Sequence, residues 1–254
     1  MSRLTFLLAV VYFLLVELVI MMYSPGGHMF FAPGRTSVAV RRAAQPRPAV
    51  PDYSGETIVY DVKMGAVRIG TSTFRHERQE RYGNVDTERV EFTTRVVKLN
   101  DTEKIWADAR NFLPVRVERD IRMWPKYETI VESYDQVRYS LDIVKTASGR
   151  QQAQRIVKNG PIHNAILLPY QVRRVPALAP GWSMKVNLPT QEFTITLTSI
   201  EDVEVPAGAF KAYYFESEPK RFQIWVSADE RRIPVKIKGS GGVNYTMQMR
   251  SYSK

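Results

Sequence analysis

From Tyr53 to the C-terminus, hydrophobic positions recur at every second residue. Phe193, Ile195 and Leu197 alternate with Thr194, Thr196 and Thr198, and Val235 and Ile237 alternate with Lys236 and Lys238. Val115, Val117 and Ile121 are spaced by arginine and glutamate in the same way. Successive side chains of an extended chain point to opposite faces, so this pattern predicts strands with one buried and one wetted face. That arrangement belongs to antiparallel rather than parallel sheet.

Turn signals punctuate the pattern roughly every 8–15 residues. They include Gly83-Asn84, Asn100-Asp101, Trp124-Pro125, Ser148-Gly149, Asn159-Gly160, Pro206-Ala207-Gly208, Ala228-Asp229-Glu230 and the Gly239–Gly242 run. About eleven or twelve strands follow, in one all-β domain over residues 53–254. Many short strands between such turns predict a barrel, half-barrel or sandwich. One helical break is expected at Ile162–Val175, with Pro169 interrupting it.

The N-terminus follows a different pattern. Eighteen of the twenty residues from Leu4 to Tyr23 are apolar, Thr5 and Glu17 being the exceptions. A helix of that length is roughly 30 Å long and matches a bilayer core. The run exceeds the h-region of an ordinary signal peptide, and Ser24-Pro25-Gly26-Gly27 offers no A-x-A cleavage pattern. Residues 1–23 therefore read as a signal anchor in preference to a cleaved signal peptide, placing the membrane partner at residues 4–23. Residues 24–52 hold five prolines and no acid before Asp52, which reads as a Pro/Arg-rich linker.

Charge divides along the same lines. The chain carries a net charge of +10. Residues 1–34 contribute zero and residues 35–50 contribute +4, from Arg35, Arg41, Arg42 and Arg47. Residues 51–254 supply the remaining +6, from 31 basic and 25 acidic residues. The linker is thus strongly basic and the body only mildly so. In the body, Arg75, Arg78 and Arg81 are broken by Glu77 and Glu80, and Arg116, Arg119 and Arg122 by Glu118 and Asp120. Mixed-sign strand faces of this kind argue against a nucleic-acid partner.

Little enzyme chemistry is visible. With no cysteine there is no disulfide, thiolate nucleophile or Cys-ligated metal, and His28, His76 and His163 share no metal-ligand spacing. No G-x-S-x-G elbow occurs, and Thr71 stands where a phosphate loop from Gly65 to Gly70 requires lysine. Glu201, Asp202 and Glu204 read as a solvated strand end. His76, in the charged stretch RHERQE, is expected to be exposed, and His163 to stand at a cleft mouth. No catalytic residue, metal site or cofactor is predicted.

Several stretches resemble one family of bacterial cell-envelope proteins, the domain of unknown function 3108. Tyr60-Asp61-Val62 with Gly65 and Gly70, Asn111-Phe112-Leu113-Pro114, and the central segment Ala165–Gly181 are similar to its motifs. The most specific matches are Val205–Phe210 and Ile224-Trp225-Val226-Ser227 followed by Asp229, Arg232, Ile233 and Pro234. The resemblance implies a periplasmic or envelope domain built on a single curved antiparallel sheet that forms a barrel, half-barrel or clam, similar in outline to lipoprotein carriers. It would be anchored to the inner membrane by the N-terminal helix, or secreted if that helix is cleaved. Charge alone leaves the orientation ambiguous, and the resemblance favours export. Lacking cysteine, this chain departs from those relatives that carry a lipid anchor.

The expected function is binding of an apolar or lipid-like ligand on the concave face of the β domain. Trp106, Phe193, Ile195, Tyr214, Phe222 and Trp225 are the candidate ligand-binding residues, each equally readable as core. Two rivals stay open: a structural or assembly factor binding another envelope protein, and an enzyme acting on envelope glycan or lipid.

Overall fold

The computed structural model describes residues 52–240 and 244–254. The signal anchor or signal peptide and nearly all of the linker lie outside the described residues.

The alternating pattern becomes fourteen strands. The first eight are β1 (Thr57–Met64), β2 (Val67–Tyr82), β3 (Val85–Val96), β4 (Leu99–Asp108), β5 (Pro114–Met123), β6 (Lys126–Asp135), β7 (Ser140–Ala147) and β8 (Arg150–Val157). After a short helix, α1 (Leu168–Val172), come β9 (Ser183–Asn187), β10 (Glu192–Val205), β11 (Gly208–Glu218), β12 (Phe222–Ser227), β13 (Pro234–Gly239) and β14 (Tyr245–Ser253). The count exceeds the sequence expectation because some strands lack apolar alternation. β8, RQQAQRIV, is exposed along nearly its whole length.

All fourteen strands join one antiparallel sheet in the order β8-β7-β6-β5-β4-β3-β2-β1-β14-β13-β12-β11-β10-β9. Every neighbour is a hairpin partner except β1 and β14, which pair from Thr57↔Ser253 to Lys63↔Thr246. The sheet is not closed: β8 and β9 are its two edges. Residues from β2, β3, β4, β12, β13 and β14 nevertheless line one cavity, so the sheet curls until its inner faces oppose each other. Close approach within the sheet is built in at Gly70, where a Cβ would lie 2.1 Å from the Arg95 carbonyl oxygen.

The chain between the two edges forms a plug. Asn164 accepts the Ile166 N–H through its side-chain oxygen at 2.8 Å and starts the turn into α1. Pro169 does not interrupt the helix. It occupies the first turn, where a missing N–H costs nothing, and the helix is only five residues long. Gln136 clamps the incoming chain, donating to Ile162 O at 2.8 Å and accepting from Ile162 N at 3.0 Å.

Behind α1, Arg173 donates to both carboxylate oxygens of Glu56, at 2.5 and 2.7 Å, and lies 4.0 Å over the Tyr53 ring. Arg174 does the same to Glu88, at 3.0 and 2.6 Å, 4.0 Å over Phe112. The first pair is fully buried and the second largely so, and such pairs hold geometry because breaking one strands a charge. His76 is also buried here, contrary to the exposed position expected from RHERQE. Its Nε2 is 2.6 Å from the Glu88 carboxylate, and the β2–β3 register shifts just beyond it.

Candidate functional site

Antiparallel alternation sends Val62 of β1, Ser72 of β2, Phe92, Thr94 and Val96 of β3, and Asp101 and Glu103 of β4 to the inner face. Ile224, Ile237, Tyr245 and Met247 face them from the other half of the sheet. The plug supplies the floor through Ala165, Ile166, Leu168, Pro169 and Tyr170. Between them lies a largely apolar cavity of about 130 Å³. The floor is fixed in place: Tyr170 stacks on Phe74 at 3.4 Å, and the Tyr60 hydroxyl bonds Tyr170 at 3.1 Å and donates to Pro234 O at 2.8 Å.

One wall is ionic. Arg119 of β5 donates its Nε to Asp101 Oδ1 at 2.9 Å and a second N–H to Asp101 Oδ2, and its Nε lies 3.4 Å from Glu103 Oε1. All three side chains are buried, as is Glu132 of β6, whose carboxylate accepts the Tyr134 hydroxyl. Burial pushes the Glu103 carboxyl up to about 7 against the pull of Arg119, with Asp101 and Glu132 adding to the rise. Glu103 can therefore hold or release a proton near neutral pH, beside the Asp101–Arg119 pair.

The six residues singled out from sequence are not brought together. Phe222 lines the cavity, and Phe193 packs against it with ring centroids 5.4 Å apart. Ile195 is in the core. Trp225 follows Ile224, a cavity residue, and so points to the opposite face. There it stacks on Tyr214 at 4.8 Å, donates its indole N–H to Glu201 at 3.0 Å and carries Lys236 4.7 Å above its ring. Trp106 also lies opposite the cavity face and donates to Glu80. Trp106, Tyr214 and Trp225 are thus cross-strand packing residues of the outer surface. His163 borders a second recess of about 500 Å³ at the seam between the chain leaving β8 and strand β9. Its Nδ1 accepts the Asn187 N–H at 3.1 Å, and burial lowers its pKa.

Asp101, Glu103, Arg119 and Tyr170 carry no sequence motif of a site, and Asn100-Asp101 has the composition of a turn. The turn forms instead at Val97-Lys98, Val97 taking a positive φ of 49°. A signal existed: Asp101 and Glu103 share parity with Leu99 and Ile105, so acids occupy core-facing positions.

Two solved structures are similar in outline. A β-barrel-like protein of the domain of unknown function 1849 from Brucella abortus aligns with TM-score 0.49 and 8% identity. The alignment covers 78% of this chain and 96% of that one. A protein with a YmcC-like fold from Bacteroides fragilis aligns with TM-score 0.30 and 9% identity, over 80% of this chain and 98% of that one. No curated protein matches the sequence. Residues 59–250 match the family of proteins of unknown function DUF3108, which takes in every strand from within β1 to within β14, and the chain belongs to that family.

Proposed function

We propose that this chain is an extracytoplasmic envelope protein that binds an apolar or lipid-like group in the cavity between sheet and plug. The observation that carries the reading is the cavity's composition: apolar walls from both halves of the sheet, an apolar floor from α1, and one ionic wall. An apolar cavity of roughly 150 Å³ takes up a benzene-sized guest. A volume of about 130 Å³ therefore suits a ring or the end of an alkyl chain, with the rest of the ligand outside. Asp101 and Glu103 line the cavity beside such a guest, and two acidic side chains there favour a hydroxyl, amide or amine near the apolar part over a carboxylate or phosphate. The family resemblance and the apolar run at residues 4–23 support the extracytoplasmic placement.

Binding is tested on the full-length protein with an environment-sensitive apolar fluorophore, displaced by short alkanols, and by mass spectrometry of co-purifying amphiphiles. Ala165→Trp, which fills the cavity from its floor, is expected to abolish uptake. Uptake unchanged in that variant would place the guest elsewhere and overturn the reading.

The assembly-factor reading is favoured by β8, an edge strand exposed on both faces. Such an edge can add a strand from another protein. Gln152→Pro abolishing capture of a reproducible partner without altering fluorophore uptake would support it.

A further inference from the structure

Turns in an antiparallel meander alternate between the two ends of the sheet. The turns after β1, β3, β5 and β7 therefore stand side by side at one end, about 10 Å apart along the rim. They share a composition. Lys63 and Arg68 bracket the first, Arg95 and Lys98 the second, Arg122 and Lys126 the third, and Lys145 and Arg150 the fourth. None of the four spans contains an acid. At the opposite end every turn has an acid in it or on the strand end beside it: Asp86, Asp108, Asp135, Glu204 and Asp229.

Three of the basic turns project an apolar tip. Val67 is 65% exposed, Val97 57% and Trp124 84%. Some of the charge is answered within the sheet, where Arg68 pairs with Asp61, Arg122 with Asp120 and Lys145 with Glu128. Lys63, Arg95, Lys98 and Arg150 make no ion pair among the described residues. Exposed valine also occurs at the far end, but Val137 lies between Asp135 and Arg138, which pair at 3.6 Å. On the other half of the basic end, Glu218 stands beside Lys220 and Arg221.

We propose that this rim docks on an anionic lipid bilayer, with the apolar tips of β1–β2, β3–β4 and β5–β6 entering the interface and the flanking bases meeting lipid phosphates. A polyanion such as nucleic acid would answer the bases and gain nothing from Val67 and Val97. A bilayer answers both, and tryptophan is a favoured residue of the membrane interface. The cavity lies toward the same end, since Val62, Val96 and Tyr245 are close to these turns in the strands. The docking surface nevertheless stands without a guest in the cavity.

Trp124 supplies its own probe. The chain has four tryptophans, Trp106, Trp124, Trp182 and Trp225, and none in the N-terminal apolar run. Full-length protein and its Trp124→Phe variant are placed with vesicles of phosphatidylcholine alone or mixed with phosphatidylglycerol, containing a lipid brominated near the headgroup. The expected result is severalfold stronger quenching of the native chain in the anionic vesicles, absent from Trp124→Phe and weakened by salt. Lys98→Gln with Arg150→Gln is expected to reduce that quenching while leaving the circular dichroism unchanged. Equal quenching of native and Trp124→Phe chains in anionic vesicles would overturn the proposal. So would salt-sensitive binding of an oligonucleotide by the same bases with Trp124 left unquenched by lipid.

Discussion

Arg173 and Glu56 meet through two hydrogen bonds, of 2.5 and 2.7 Å, with side chains 1% and 0% exposed, although they stand 117 positions apart in the chain. Glu56 immediately precedes the first strand and Arg173 immediately follows α1. The contact therefore ties the start of the sheet to the plug that floors the cavity.

Removing one partner leaves the other charge buried without a counterion. Arg173→Leu is expected to destabilise the protein by about 3–5 kcal/mol, read as a lower denaturant midpoint. Replacing both, Arg173→Leu with Glu56→Leu, should recover a large part of that loss. A double variant as unstable as the sum of the singles would show that the two residues act independently.

Glu103 gives the stability of the protein a pH dependence of unusual sign. Burial, with Asp101 and Glu132 beside it, keeps its carboxyl protonated up to about 7 in the folded chain, against an ordinary value of 4.5. Between those values the folded state binds more protons than the unfolded one, so this group's contribution falls as pH rises and is lost above about 7. Stability of the native protein relative to Glu103→Gln should decline across that window by a few kcal/mol and then level off. A flat difference would mean that Glu103 is ionised throughout.

The aromatic residues separate by face. Phe222→Ala opens the cavity wall and is expected to change fluorophore affinity. Trp106→Phe and Tyr214→Phe, on the opposite surface, should leave it unchanged and cost about 1 kcal/mol of stability for the lost hydrogen bonds. A tenfold affinity change in either outer variant would move the binding surface to the convex side.

Gly70 tests the approach of β2 to β3. With a Cβ placed 2.1 Å from the Arg95 carbonyl oxygen, Gly70→Ala has to push two backbones apart. A loss of about 1–3 kcal/mol is expected, with faster amide exchange in β2 and β3. Native exchange in those strands would show that the sheet relaxes without strain.

Much of the architecture was legible because alternation is a local property. Phe193-Thr194-Ile195-Thr196-Leu197 announces both a strand and its buried face, and glycine, proline and asparagine mark where it stops. Polar strands such as β8 were underestimated, because their backbone is paired by a neighbour and not selected by their own side chains. Trp106, Tyr214 and Trp225 fall on the face opposite the cavity for a related reason. Trp225 and Ile224 are both buried, and burial alone does not say which face of the sheet a residue occupies. The buried acids could have been found by parity, since Asp101 and Glu103 stand in step with Leu99 and Ile105.

Taken alone, then, the chain specified strands, turns, an all-β class and the family to which it belongs. Pairing β1 with β14, curling the sheet around α1, and bringing Arg119 to Asp101 and Arg173 to Glu56 required the folded molecule. So did the gathering of four basic turns on one rim. Strand formation is encoded within a few residues. Contacts across tens to more than a hundred residues arise only when burial of one common core selects which faces meet.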